Sequence, residues 1–138
     1  KSNVDQFIRT NGLSEMITFH GRRLDQEKWN IFGANAILLH PTYWDGVPYN
    51  ILEALGAGLC VITSYVGGIP DIIINGENGV LLAKNDPEHI HNALLDLYIN
   101  RNKLERISKN NKKLYLRRFK VELFLENMKS WFDGSLGQ

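Results

Sequence analysis

The sequence is short of cysteine and of long apolar runs. Its single cysteine among 138 residues excludes an internal disulfide. Cys60 lies in the apolar run Leu59-Cys60-Val61-Ile62, where a thiol acts as a small hydrophobic side chain. No run approaches the roughly 18 consecutive apolar residues of a membrane span, and no signal-peptide pattern precedes the first periodic segment. These absences predict a cytoplasmic protein.

The chain also lacks a strong charge of either sign. Sixteen Lys and Arg residues oppose 15 Asp and Glu residues, so no overall field points to nucleic acid. Locally, residues 101–120 contain nine basic residues and one acid, Glu105. Such a run is typical of a solvated helix face, and the alternative is contact with anionic lipid head groups on the cytoplasmic face of a membrane. No nucleic-acid-binding motif accompanies the run, and no Cys/His spacing suggests a metal site.

The order of apolar patterns predicts an α/β domain. Continuous apolar runs at 17–20, 36–40, 60–63 and 80–82 indicate four short strands. Helical spacing covers 1–10, 25–32, 48–57, 87–100, 104–115 and 121–132, with a short helical piece at 69–74; Asp25 and Asp86 are candidate N-caps. Strands separated by helices predict a Rossmann-like parallel sheet with flanking helices. The chain starts inside a helical pattern without an initiator Met, so we expect it to be part of a longer protein.

The loops that follow the strands are the expected ligand site, because ligands bind at the carboxyl ends of parallel strands. One of them contains Asp45, and Glu53 follows after seven intervening residues in the next helix. Both carboxylates can therefore face one elongated ligand and accept hydrogen bonds from sugar hydroxyls. Backbone N–H groups around Gly46 and Val47 precede the helix N-terminus, a position that favours phosphate.

These residues carry a family resemblance. The run from Pro41 to Leu82 is similar to the donor-binding core of family 4 retaining glycosyltransferases, with their E-x7-E motif, small-residue helix, strand, Gly-Gly turn and NG-x-NG turn. The similarity extends upstream to ITFHG and downstream to NDPEHI, covering about 17–97. It implies the C-terminal half of a GT-B fold, truncated at its N-terminal side. Residues 1–138 would then be one partial nucleotide-sugar-binding domain with C-terminal helices at about 101–133.

The resemblance also implies roles for individual residues. Asp45 would be the catalytic carboxylate near the donor sugar, although the family usually has Glu there, one methylene longer. Glu53 would hold the ribose hydroxyls. The remaining donor-binding candidates line the sugar, the phosphates or the base: Gly46, Val47, Pro48, Tyr49, Arg22, Arg23, Gly67 and Gly68. The pair Gly67-Gly68 is equally typical of a tight turn, and Pro48 has no N–H to donate.

Several other side chains keep two interpretations. Tyr43 and Trp44 could stack on a ligand or brace their loop. His20 and His40 end predicted strands, which is more typical of structural histidines than of acid–base residues.

The implied function is transfer of a sugar from a nucleoside-diphosphate sugar to a glycan or lipid-linked acceptor, with retention and with no cofactor besides the donor. The family's diphosphate-clamping Arg and Lys and its acceptor domain precede the part matched here, so this chain alone is expected to be inactive. A nucleotide-sugar epimerase and a non-catalytic nucleotide-binding module remain alternatives. A dinucleotide oxidoreductase is disfavoured, since no G-x-G-x-x-G follows a strand. The base, the sugar and the acceptor stay open.

Overall fold

The computed structural model of the protein describes residues 2–135. Three strands and six α-helices are assigned within that range. The strands are β1 (Ile37–His40), β2 (Cys60–Ser64) and β3 (Gly79–Leu82). The helices are α1 (Ser2–Thr10), α2 (Asp25–Gly33), α3 (Tyr49–Ala57), α4 (Pro87–Ile99), α5 (Arg101–Arg118) and α6 (Val121–Ser135), with a 3₁₀ turn at Ile69–Asp71.

The strands form one parallel sheet in the order β1-β2-β3. All five residues of the central strand β2 are buried. One core cluster packs α3 and the 3₁₀ turn against β2 through Ile51, Leu55 and Ile69. A second cluster joins β2 to α4 and α5 through Leu97 and Ile107. The structure therefore confirms the predicted parallel sheet with flanking helices.

The fourth predicted strand, at 17–20, is wrong. Residues 17–20 have no regular secondary structure, and the side chains of Ile17 and Phe19 are exposed. An apolar run becomes a strand only where a neighbouring strand pairs with it, and the sheet of the described residues provides none there. The predicted strand at 36–40 is present as β1, which lies at the sheet edge of the described residues and leaves Leu39 41% exposed.

Helix ends follow the local sequence in most places. Gly58 ends α3 in the left-handed conformation with φ 83°, and the Asp86 carboxylate accepts the His89 backbone N–H at 2.9 Å to cap α4. Asp25 does not cap α2: Leu24 occupies the N-cap position, and Asp25 is the first helical residue with φ 48°. The predicted start of the first helix at Lys1 lies outside the described residues.

Two glycines of the loop after β2, Gly67 and Gly68, pack directly against the backbone of the loop after β1. Gly67 has φ +55°, and a methyl group on it would lie 1.7 Å from the carbonyl oxygen of Asp45. The neighbouring Gly68 N–H donates to the Gly46 carbonyl oxygen at 2.9 Å. No side chain fits at position 67 without moving the Asp45 backbone. The Gly-Gly turn is thus a point of close backbone approach.

Substituting Gly67 by Ala should therefore destabilise the protein by about 1–3 kcal/mol, from backbone strain and the clash with Asp45. Urea unfolding measures this change. Gly46→Ala is the matched control, because a methyl group at Gly46 meets no atom within 4 Å. Its effect should stay within about 0.5 kcal/mol. Equal unfolding midpoints for the two variants would contradict the locked arrangement.

Cys60 gives a second check on the core. Burial raises the pKa of its thiol to about 12, so the reactive thiolate is scarce at neutral pH. We expect the native protein to resist iodoacetamide at about pH 8 and to be alkylated once urea unfolds it, as followed by mass spectrometry. Rapid labelling of the native protein would show that β2 is accessible.

Candidate functional site

The carboxyl ends of the three strands bring three loops side by side. The register pairs His40 with Thr63 and Ser64 with Leu82, so the strands end at one edge of the sheet. Residues 41–48, 65–68 and 83–86 follow that edge. The loop predicted to hold a ligand, 41–48, therefore has a neighbouring loop from β2 against it.

A partly buried hydrogen-bond network fixes these loops. The Ser64 hydroxyl accepts the Thr42 backbone N–H at 2.9 Å and donates to the Asn85 side-chain oxygen at 2.6 Å. The Asn85 amide in turn donates to the Thr42 carbonyl oxygen at 2.5 Å. Thr42 is thus held on both sides of its backbone. Sequence reasoning missed these three residues, although a polar residue that ends a buried strand, as Ser64 does, is a usable signal.

Asp45 lies beside two polar side chains that the sequence analysis did not connect to it. Its Oδ2 is 3.7 Å from His40 Nε2, and its side chain is about one-third exposed. His40 Nδ1 lies 3.2 Å from the Asn50 side-chain nitrogen at the start of α3. The carboxylate therefore lies between solvent and the buried Nε2 atom of a partly exposed imidazole.

The start of α3 presents unpaired donors. Within the described residues, the backbone N–H groups of Gly46, Val47 and Tyr49 have no hydrogen-bond acceptor. Pro48 is the N-cap, and its carbonyl oxygen accepts the Ile51 N–H at 3.0 Å. Free N–H groups at the positive end of a helix dipole suit an anion.

The aromatic side chains of this loop are not packed into the protein. Tyr43 and Trp44 are 84% and 86% exposed, and Tyr49 is exposed to a similar degree. The Tyr43 hydroxyl only approaches the Asn85 carbonyl oxygen, at 3.5 Å. Bracing of the loop therefore comes from Ser64, Asn85 and the glycine pair, and the aromatic faces are left available to a ligand.

Glu53 has a protein partner that the sequence did not reveal. Lys28 on α2 forms an ion pair with Glu53 Oε1, with the nitrogen and oxygen 2.5 Å apart. Both side chains are 28% exposed. Glu53 lies three residues after Asn50 and hence on the same face of α3. Lys28 leaves Oε2 without a protein partner in the described part of the chain.

The two candidate arginines, Arg22 and Arg23, have no polar contact with this loop among the described residues. Arg23 donates to the His20 carbonyl oxygen at 2.7 Å and pairs with Glu27 at 3.2 Å. Arg22 is exposed. Among the described residues, neither arginine forms a hydrogen bond or ion pair with the 41–48 loop.

Other surface features of the described residues offer less to a sugar nucleotide. An apolar groove of about 360 Å³ lies near the amino end of β1. No carboxylate is among its lining residues, which are Ile37, His91, Leu94, Leu95, Leu97, Tyr98 and Arg101. Within 2–135, no three His, Cys, Asp or Glu side chains form a group that could hold a metal ion. No helix assigned there is long and apolar enough to cross a membrane.

Sequence relatives are glycosyltransferases. An uncharacterized glycosyltransferase of Methanocaldococcus jannaschii is 32% identical over 104 residues, which are 75% of this chain and 26% of the relative. The lipopolysaccharide core biosynthesis mannosyltransferase LpsB of Rhizobium meliloti is 25% identical over 112 residues, or 80% of this chain and 31% of LpsB. The chain thus spans about a third or less of the length of these relatives.

Solved structures share the fold. The C-terminal domain of the group 1 glycosyl transferase LpcC from Francisella tularensis superimposes with a TM-score of 0.77 and 25% identity, over 87% of this chain and 62% of that one. Anabaena HepE, solved in complex with UDP, gives a TM-score of 0.86 at 22% identity, over 96% of this chain and 36% of HepE. The sheet and helices are therefore those of the C-terminal Rossmann-like domain of GT-B glycosyltransferases.

The family model for glycosyl transferases group 1 matches residues 1–114. This match includes all three strands and the loops at their carboxyl ends. The chain belongs to the glycosyl transferases group 1 family.

Proposed function

We propose that the face built by the loops after β1 and β2 binds a nucleoside-diphosphate sugar and that the full-length protein transfers this sugar with retention of anomeric configuration. One observation carries the proposal. A loop held by hydrogen bonds presents unpaired N–H groups at the start of α3, and along the chain Asp45 precedes these groups while Glu53 follows them. N–H groups that can bind a phosphate, flanked in sequence by two carboxylates that can accept hydrogen bonds from sugar hydroxyls, match the order of groups in a sugar nucleotide.

In this arrangement each end of the donor has its own carboxylate. The distal phosphate lies at Gly46, Val47 and Tyr49, where the helix dipole and N–H groups offset its charge. Asp45 accepts hydrogen bonds from the donor sugar and stabilises charge that develops in the transition state. Glu53 Oε2 accepts hydrogen bonds from the ribose hydroxyls, while Oε1 forms the ion pair with Lys28.

Two complexes of one structural neighbour support this donor class. Structural neighbours include HepE in complex with UDP and with UDP-glucose. Those likenesses support a nucleoside-diphosphate sugar as the ligand and leave the base open. Membership in the group 1 family favours transfer over epimerisation or simple binding.

The acceptor in this proposal is a glycan or a lipid-linked saccharide. LpsB is named for lipopolysaccharide core biosynthesis. On the basic helix α5, Lys103 pairs with Asp96 and Lys109 pairs with Glu105. Its other cations include Lys113 and Arg117, which could contact an anionic membrane surface on the cytoplasmic side. The diphosphate also needs cationic compensation as it leaves, which in this mechanism comes from groups of the full-length protein outside residues 1–138.

Glu53 gives the first test of the site. In the full-length protein, Glu53→Gln should weaken nucleoside-diphosphate-sugar binding by about 1–3 kcal/mol, because a charged acceptor of the ribose hydroxyls is lost. Isothermal calorimetry measures the change. Glu126→Gln makes the same chemical change at an exposed position of α6 and should leave affinity unaltered. Wild-type affinity in the Glu53 variant would remove this residue from the site.

Asp45 gives the second test. Asp45→Ala should slow transfer about 10- to 100-fold while changing the affinity for the bare nucleoside diphosphate less than about twofold, because only the sugar end loses its partner. Asp45→Glu should retain or raise activity.

Proton NMR of the wild-type product reads its anomeric configuration, which should match the donor's.

An equal loss of affinity for the bare nucleotide and the sugar nucleotide in Asp45→Ala would make Asp45 a loop-structuring residue instead. Asp133→Ala, which removes an exposed carboxylate of α6, serves as the control for general effects of charge. An inverted product would overturn the retaining mechanism and leave donor binding standing.

A further inference from the structure

His40 is held rigidly at the end of β1. Its backbone carbonyl oxygen accepts the Thr63 hydroxyl at 2.8 Å, and its ring nitrogen Nδ1 lies 3.2 Å from the Asn50 side-chain nitrogen. An amide nitrogen can only donate, so Nδ1 accepts and the proton of the neutral ring is on Nε2. If the Asn50 amide were turned so that its oxygen faced Nδ1, the ring proton would be on Nδ1. An unprotonated Nε2 would then face the Asp45 carboxylate, which is repulsive. Both neighbours of the ring therefore favour the same tautomer.

The Nε2 atom is buried and has no hydrogen-bond partner in the described structure. A buried N–H without an acceptor is unfavourable by about 1–3 kcal/mol. Asp45 Oδ2, at 3.7 Å, faces it across a gap slightly too long for a hydrogen bond. Shortening this gap by roughly 0.8 Å would satisfy the donor.

The movement that closes the gap belongs to the Asp45 side chain. The carbonyl oxygen of Asp45 lies against Gly67, so the backbone at this position has little room to shift. Rotation of the carboxylate about its own side-chain bonds needs no such backbone movement. The direction in which the carboxylate points is therefore open to control by its neighbour.

We infer, resting on the proposed function, that His40 is the positioning residue of Asp45 in the donor complex. Its Nε2–H donates a hydrogen bond to Asp45 Oδ2, which leaves Asp45 Oδ1 directed at the hydroxyls of the donor sugar. The contact of Nδ1 with Asn50 fixes the tautomer that this hydrogen bond requires. This fixed orientation suits Asp, whose short stem leaves the carboxylate fewer ways to reach the sugar than Glu has. Because Nε2 is buried beneath Asp45, His40 acts through that carboxylate and does not touch the substrate itself.

The experiment compares two substitutions of His40 in the full-length protein. Gln places an amide N–H near the position of Nε2, whereas Asn reproduces only the inner part of the ring and loses that donor. His40→Asn should lower kcat with the sugar nucleotide about tenfold or more and leave the affinity for the bare nucleoside diphosphate unchanged. His40→Gln should recover most of the loss. Equal rates for Asn and wild type, or equal losses for Asn and Gln, would overturn the inference.

A double-mutant cycle separates positioning from a general structural role. In an Asp45→Ala background, His40→Asn should have little further effect on kcat, because the group it orients is absent. The same tenfold loss in that background would show that His40 acts independently of Asp45 and would overturn the inference. If Asp45→Ala alone has wild-type kinetics, the proposed function fails, and the inference fails with it. If Asp45→Ala is impaired and His40→Asn is not, only the inference fails.

The tautomer is a separate readout that does not depend on a variant folding. In protein labelled with ¹⁵N-histidine, NMR should show a neutral His40 ring protonated at Nε2, and the Nε2–H proton should move downfield when the sugar nucleotide binds. Protonation at Nδ1 would contradict the arrangement. So would an Nε2–H chemical shift that stays unchanged when either the sugar nucleotide or the bare nucleotide is added.

Discussion

The close contact between the Asp45 carbonyl oxygen and Gly67 is the constraint on which the rest of the site depends. It sets where the loop after β1 lies before any ligand arrives, and the bonds of Ser64 and Asn85 to Thr42 fix the other end of the same loop. The N–H groups at the start of α3 are thereby aimed without further ordering. Preorganisation of this kind lowers the entropy that binding would otherwise lose.

Elements defined by local sequence could be predicted. The buried apolar runs gave β2 and β3, Gly58 marked the end of α3, and Asp86 marked the start of α4. The spacing of Asp45 and Glu53 correctly put one in a loop and the other inside a helix. Each of these inferences needs only neighbouring residues, whose conformational preferences act at short range.

Features that depend on packing could not be predicted. Residues 17–20 have a strand-like composition, but pairing decides whether a strand forms. The ion pair of Glu53 with Lys28 requires α2 to lie against α3, and 25 residues separate its partners. Similarly, Asn85 meets Thr42 only because the parallel register brings distant loops together. The sequence contains these residues but not the distances between them.

The Lys28–Glu53 pair has a consequence for how the site responds to salt. In the proposed site, Lys28 partly offsets the negative charge of the carboxylate whose Oε2 would accept hydrogen bonds from ribose, so dissolved ions that weaken this partly exposed pair make that oxygen a stronger acceptor. The same ions weaken the attraction between phosphates and the start of α3. If the donor binds as proposed, its two ends experience opposite effects of ionic strength, and the net salt dependence of its binding is smaller than the charge of its diphosphate alone suggests.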